Sequence, residues 1–288
     1  MEIRHLKTFF TIVRLGSFTK AANSLRYAQS TITFHIQSIE EELGSQVFDR
    51  VGKKVQLTET GKRLLPYAKK ILHTYKELKD ATSLNGEIQG ELVISASEAL
   101  LIYRLPLVIK EFKEKYPKAV IHLKHLDPTQ LKTELIDGEV DLAFLLDKER
   151  KEEGIRFERL VSEPMMLISK DVISLDRPDS MKDRVFLFTE SGCSYRVVFE
   201  ELIEQYLHLK ETNNLQFWSI EALKQCVITG LGISILPYIT VKNEIQQKKL
   251  QAQQIDQLIT YIAFHKDKSL SPTLNVFLEI LRNHTEQW

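Results

Sequence analysis

Apolar positions recur at helical spacing in four stretches of the first 87 residues, and Asn85, Gly86 and Gly90 end that pattern in a stretch that reads as flexible. Leu6, Phe9, Phe10 and Val13 form a one-face stripe that predicts a first helix. Gly16 and Ser17 break it, with Ser17 placed to cap a second helix carrying Phe18, Ala21, Ala22 and Leu25. After a turn at Arg26 to Ala28, the spacing of Ile32, Ile36, Ile39 and Leu43 predicts a third helix that stops at Gly44. Two short helices and a tight turn, with small Ala21 and Ala22 permitting close approach, describe a helix-turn-helix centred on Ser17 to Glu42. Val47 to Leu57 alternates around a Gly-Lys-Lys turn at 52–54 and predicts a two-stranded wing carrying Arg50, Lys53 and Lys54. Thr58 then caps a long helix whose apolar positions Leu64, Ala68, Ile71, Tyr75 and Leu78 step by four, three, four and three. That is a heptad seam, which predicts pairing with a second copy, although Pro66 inside it should kink the helix.

From Gly90 the pattern changes to short β-branched runs alternating with amphipathic helices, the signature of parallel βαβ units. Strands are predicted at Leu92–Ala96, Val120–Leu123, Leu142–Leu146, Met166–Ser169, Val185–Phe188, Leu215–Trp218, Ile233–Leu236 and Ile259–His265. Helices are predicted at Leu105–Tyr116, Val197–Leu207 and Pro272–Arg282. The fold class is therefore α/β behind an N-terminal winged helix-turn-helix. Its organisation reads as a winged helix-turn-helix domain over 1–58, a linker helix carrying the heptad seam over 59–89, and an α/β domain over 90–288.

Composition narrows the class. With 43% apolar and 27% charged residues in 288, the chain can bury a sizeable core. No run approaches the roughly 18 apolar residues of a spanning helix, so no membrane partner is expected. Met1 to Lys7 lack a secretory h-region, which predicts a cytoplasmic protein. The formal net charge is +0, yet it is unevenly placed. Residues 1–80 hold 14 Lys and Arg against 8 Asp and Glu, net +6, leaving 25 against 31, net −6, for the rest. A basic end on an acidic body suits a polyanion-binding domain.

With these elements in place, the chain resembles the LysR-type transcriptional regulators along its whole length. The likeness is carried by Leu6-Lys7-Thr8-Phe9-Phe10, Gly16-Ser17-Phe18-Thr19-Lys20-Ala21-Ala22, and Ile36-Gln37-Ser38-Ile39-Glu40-Glu41-Glu42-Leu43-Gly44. Leu57-Thr58-Glu59-Thr60-Gly61, Asp137-Gly138-Glu139-Val140-Asp141-Leu142-Ala143 and Gly230-Leu231-Gly232-Ile233-Ser234-Ile235-Leu236-Pro237 follow in order. The resemblance implies a bacterial regulator with a dimerising linker helix and a sensor built like periplasmic solute-binding proteins from two α/β lobes. Lobe I would comprise 90–162 and 265–288, and lobe II 163–264, with crossings near Ser162 to Met166 and Tyr261 to His265. It further implies homodimers or homotetramers that bend double-stranded promoter DNA, and a small-molecule effector in the interlobe cleft that alters the bend.

An α-helix fits the major groove and reads base edges from its first turns. On the third helix the outward positions are Gln29, Ser30, Thr31, Thr33, Phe34 and Gln37. Glutamine can bond adenine bidentately, and Thr and Phe can contact the thymine methyl. Phe34 and Gln37 stand where the family commonly has basic residues, and Ser30 where proline is frequent. Without an arginine to take guanine, the readout should lean toward A·T, with phosphate affinity from Arg26, Arg50, Lys53 and Lys54. Phe34 has an alternative role as core beneath the wing, and polar Gln, Ser and Thr can also merely solvate a surface.

Ligands of open α/β folds gather outside the carboxyl ends of strands, near helix N-termini. By resemblance Ser95–Glu98, Asp127–Thr129, Thr189–Tyr195 and Gly230–Ser234 face the cleft. Ser97, Glu98, Thr129, Thr189, Ser191, Gly192, Cys193, Ser194 and Gly232 are then the candidate effector contacts, suiting a small carboxylate or similar metabolite. Glu98 opposes an anion nearby unless it points away or is paired, which leaves a neutral or cationic ligand open. The same Ser and Thr would cap helices without any ligand. Cys193, before a helix and near Arg196, could have a depressed pKa and act as a redox switch, or be a partly buried residue without a signalling role. Cys193 and Cys226 match no zinc spacing, and His122, His125, His208 and His265 lie scattered, so neither metal nor cofactor is expected. An enzyme is disfavoured because Thr189–Ser194 lacks a nucleophile-elbow pattern with a placed His and acid. A transport-type binding protein would need an export signal in place of the helix-turn-helix.

Overall fold

The computed structural model describes residues 1–51, 54–81, 88–173, 175, 178–181, 183–207, 213–267 and 270–288, and the chain divides into two compact units, Met1–Gly86 and Glu87–Trp288. The first unit begins with α1 (Ile3–Leu15), α2 (Phe18–Leu25) and α3 (Gln29–Leu43). Ser17 caps α2 by accepting the Lys20 N–H at 3.3 Å. Gly44, at φ 65°, ends α3 in the left-handed conformation that glycine adopts without strain. Antiparallel β1 (Phe48–Val51) and β2 (Lys54–Leu57) make the wing, with Val51 opposite Lys54. Helix α4 (Glu59–Ala81) follows, capped by Thr58, whose Oγ1 accepts the Gly61 N–H at 3.0 Å.

Leu6, Phe9 and Ile12 of α1, Ala21 and Ala22 of α2, Ile32, Ile36 and Ile39 of α3, and Leu64 and Ala68 of α4 form one core. Each large side chain here contributes about 1.5–3 kcal/mol by leaving water. At Gly61 the chain permits nothing larger than hydrogen, since a Cβ there would sit 2.1 Å from the Val47 carbonyl oxygen. The heptad positions of α4 divide. Leu64 and Ala68 are used up in this core, whereas Ile71, Tyr75 and Leu78 are 40%, 38% and 57% exposed. Helix α4 spans Pro66, whose ring nitrogen has no N–H to offer the carbonyl of residue 62.

The second unit opens with β3 (Gly90–Ala96), α5 (Glu98–Tyr103), α6 (Leu105–Lys115), β4 (Ala119–His125), α7 (Leu131–Ile136), β5 (Leu142–Asp147) and the long β6 (Ile155–Ser169). It continues through β7 (Phe186–Phe188), α8 (Ser194–Leu207), β8 (Asn214–Gln216), α9 (Ile220–Thr229), β9 (Ser234–Pro237), α10 (Tyr238–Gln246), the long β10 (Gln251–His265) and α11 (Pro272–Thr285). The main sheet runs β4-β3-β5-β10-β6-β9, parallel at β4-β3-β5 and antiparallel at the other pairs. Parallel β7 and β8 join it where the Ile233 and Phe186 segments bridge.

This topology makes two lobes with two shared strands. Ile259–Ala263 of β10 pair with β5 in lobe I, while Met165–Ile168 of β6 pair with β9 in lobe II. The chain therefore leaves lobe I near Ser162–Pro164. By register Ser162, Glu163 and Pro164 lie opposite Ile259, Leu258 and Gln257 of β10, so the two crossings stand side by side. Both strands extend well beyond Met166–Ser169 and Ile259–His265, because β6 and β10 pair along almost their full length. A buried ion pair sits at this crossing. Arg104, at the α5–α6 junction, donates from Nε and Nη2 to Glu163 Oε1 at 2.9 and 2.7 Å, and Thr260 Oγ1 lies 3.4 Å from the same oxygen.

Candidate DNA interface and interlobe cleft

The helix-turn-helix holds α3 on a buried platform of Ile32, Ile36 and Ile39, with the opposite face free. Gln29, Ser30 and Gln37 are exposed, Thr31 and Thr33 half-buried, and Phe34 is 61% exposed. Phe34 is thus not core beneath the wing; its ring is T-shaped to that of His5 and tilted against that of His35, at centroid distances of 6.3 and 6.4 Å. The Thr33 hydroxyl donates back to the Gln29 carbonyl at 3.0 Å. Arg26 is exposed and occupies the turn in a left-handed conformation, φ 56°. Arg50 and Lys54 lie on the wing strands by backbone register, and Lys53 falls outside the described residues.

Under this face lies a feature the sequence pattern does not reveal. His5 of α1 and His35 of α3 are 5% and 4% exposed and stack at 4.8 Å. Nδ1 of His35 shares a hydrogen bond with Thr8 Oγ1 at 2.8 Å, whereas neither ring nitrogen of His5 has a partner. Burial lowers both pKa values below the ordinary 6.5, since neither ring can be charged cheaply there.

In the second unit a cavity of about 30 Å³ lies between the lobes. Lobe I contributes Ser97, His125, Leu126, Pro128, Leu145, Leu146 and Arg150, and lobe II contributes Glu190 and the Gly192–Tyr195 segment. Of the nine candidate effector contacts, Ser97, Gly192, Cys193 and Ser194 line it and the other five do not. Thr129 turns its N–H and hydroxyl onto Asp127 Oδ1, at 2.9 and 2.7 Å, and closes its own loop. Ser191 is exposed, and Thr189 is buried with an unpartnered hydroxyl. Gly232 serves packing, since a Cβ there would lie 2.2 Å from the Val185 carbonyl oxygen. Glu98 is paired: it reaches lobe II and accepts from the Ile220 N–H at 2.8 Å and Ser219 Oγ at 3.1 Å.

His125, Arg150, Glu190 and Tyr195 are lining residues that the candidate set lacks. Arg150 follows the carboxyl end of β5, so the strand-end rule could have found it. It is already engaged, 3.1 Å from Asp147 and 3.6 Å from Glu152. His125 Nε2 stands 4.0 Å from Glu190 Oε1.

Cys193 does not have an activated thiol. Burial pushes its pKa up to about 11, and the Arg196 guanidinium is occupied by Glu200 Oε1 at 2.8 Å and the Thr189 carbonyl at 3.0 Å. Among the described residues no three His, Cys, Asp or Glu side chains converge as a metal site, and no helix is long and apolar enough to cross a membrane; His208 falls outside that set.

Comparison with known proteins agrees with this layout. Residues 3–62 match the family model described as a bacterial regulatory helix-turn-helix protein of the lysR family, and residues 85–286 match the LysR substrate binding domain. The chain is 40% identical over 292 residues to the uncharacterized HTH-type transcriptional regulator YwqM of Bacillus subtilis (strain 168), covering 98% of this chain and 99% of that protein. It is 29% identical to the uncharacterized HTH-type regulator YfiE of Escherichia coli (strain K12), covering 97% of each. Among solved structures, full-length OxyR from Pseudomonas aeruginosa superposes with a TM-score of 0.72 at 20% identity, covering 99% of this chain and 95% of that one. Full-length CbnR complexed with its target DNA superposes with a TM-score of 0.64 at 22% identity, covering 99% and 100%. A winged helix-turn-helix, a following helix with an exposed apolar stripe, and a two-lobed α/β domain, each matched by the family models, place this chain in the LysR family of DNA-binding transcriptional regulators.

Proposed function

We propose that Gln29, Ser30, Thr31, Thr33, Phe34 and Gln37 read an A·T-leaning promoter sequence in the major groove, while Arg26 and the wing cations Arg50, Lys53 and Lys54 hold phosphates. A small metabolite in the interlobe cleft alters that engagement, and copies associate as homodimers or homotetramers through α4 and the sensor. The protein works in the cytoplasm and catalyses no reaction. The observation that carries this reading is α3 itself, which buries one isoleucine face and leaves Gln29, Ser30, Phe34 and Gln37 in solvent. Two glutamines and an apolar ring, with no arginine among them, suit adenine edges and thymine methyls. The exposed Ile71, Tyr75 and Leu78 supply an apolar stripe for a second copy.

A gel-shift assay on the DNA upstream of its own gene, at several salt concentrations, tests the reading. Lys54→Ala should weaken binding to all sequences alike and reduce the salt slope by about one. A shift indifferent to both sequence and salt would refute DNA recognition.

A further inference from the structure

Helix α5 of lobe I fastens onto α9 of lobe II at both of its ends. At the start, the Glu98 carboxylate takes the Ile220 N–H and the Ser219 hydroxyl. At the far end, the Tyr103 hydroxyl donates to Glu221 and accepts from Lys224 Nζ at 2.8 Å. Lys224 is itself buried and bound on its other side by Glu244 at 2.8 Å and the Thr240 carbonyl at 3.0 Å, so this anchor is rigid. Glu98 is therefore held in register over the first turn of α9.

That position has a chemical meaning. The first turn of a helix offers unpaired N–H groups and the positive end of the peptide dipoles, and it favours a carboxylate. The chain supplies the carboxylate from the opposite lobe. Next to it, Ser97 lines the cleft and its hydroxyl has no partner; Ser95, two residues earlier on β3 and fully buried, has none either. Hydroxyls buried without partners are costly unless a ligand uses them. The cavity that Ser97 lines is about 30 Å³, roughly the share of one water molecule and far below the several hundred Å³ of a metabolite site. A larger ligand needs more room between the lobes, and Glu98 is one of the side chains that tie them together there.

We propose that Glu98 is an internal ligand: its carboxylate clasps the start of α9 and holds the cleft shut at rest, and an effector bearing a carboxylate opens the cleft by taking its place. This rests on the cleft being the effector site. The carboxylate of the effector and that of Glu98 then compete for the same N–H and hydroxyl donors, so binding and opening are one event.

Hydrogen exchange on the full-length protein, followed in peptides spanning 219–222, reads the clasp directly. Glu98→Ala should speed exchange there by about tenfold or more with the strand cores unchanged, and Glu98→Gln, which keeps an acceptor but loses the charge, should fall between. Sodium acetate should restore protection in Glu98→Ala, filling the vacated donors, whereas methylammonium chloride at equal ionic strength should not. Wild-type-like exchange in a folded Glu98→Ala would overturn the proposal; so would restoration by both salts or by neither. If the alanine variant does not fold, glutamine exchange equal to wild type has the same force. This readout needs no DNA, so its failure leaves the gel-shift test standing, and a failed gel shift leaves the clasp to be judged by exchange alone.

Discussion

Replacing Arg104 by methionine removes the only cation, among the described residues, that hydrogen-bonds to a carboxylate that is 1% exposed. Glu163 would keep Thr260 Oγ1 at 3.4 Å as its remaining contact, too long to replace two charge-assisted bonds of 2.9 and 2.7 Å. Breaking a buried pair from one side costs about 3–5 kcal/mol, because the surviving charge is left without compensation. For a sensor of this size that lowers the melting temperature by roughly 10 °C. The deficit should depend on pH. Burial already raises the Glu163 carboxyl above its ordinary 4.5, and the guanidinium opposes that rise. An acid raised in the folded state costs nothing where it is protonated in both states and costs progressively more as pH climbs through its unfolded and then its folded value. With the guanidinium gone the rise is unopposed, so the variant's deficit relative to wild type should be smallest near pH 4.5 and grow toward neutrality. Urea unfolding followed by tryptophan fluorescence suits the measurement, since the Trp288 ring lies 5.0 Å from the Arg104 guanidinium. The double variant Arg104→Met/Glu163→Leu should recover more than half of the loss. A single-variant loss under about 1 kcal/mol, or a double variant no better than the single, would refute the account.

Three further outcomes are expected. The buried imidazoles of His5 and His35 are lowered in the folded state, so their stabilisation is intact above pH 6.5 and lost as the unfolded chain takes up protons below it. The charged groups acting on them are Glu2, Arg4, Glu42 and the N-terminal ammonium. Melting of the DNA-binding unit should therefore fall between pH 7.5 and 5.5, and His35→Gln should flatten the profile. Phe34→Ala removes an exposed ring, so melting should stay within about 0.5 kcal/mol of wild type while the preference for A·T sites in a gel shift weakens; equal affinity on all sequences would refute its base-reading role. Cys193, with its thiol pushed to about 11 and buried, should resist iodoacetamide in the native protein at pH 7.5, leaving the half-buried Cys226 as the labelled site by mass spectrometry.

Legibility in the sequence followed the range of the interactions. The stripe Leu6, Phe9, the Ser17 cap, the Gly44 stop and the two-stranded wing are local: each follows from residues within one or two turns of each other, and each appears at the predicted place. Met166–Ser169 was visible as strand because its buried positions are apolar, but the first half of β6 is charged and half-exposed, and Gln251–Gln257 of β10 has no alternation at all. Their register comes from backbone pairing with each other, which no side-chain period encodes. The same divide runs through the sites. Phe34 could be assigned to core or to solvent until the position of α1 and its histidines was known, and the heptad seam of α4 looked uniform until Leu64 and Ala68 were taken into the core of their own unit.

By itself the sequence determined what its short-range patterns and motifs specify: the order of elements, the isoleucine face that α3 buries, and the family. Tertiary structure alone decided that Cys193 is too buried to ionise near neutral pH, that Gly232 is a packing glycine, that Arg104 neutralises Glu163, and that Glu98 answers to a helix more than a hundred residues away. Burial, dielectric environment and pairing are properties of what surrounds a side chain, and those surroundings are assembled from distant parts of the chain.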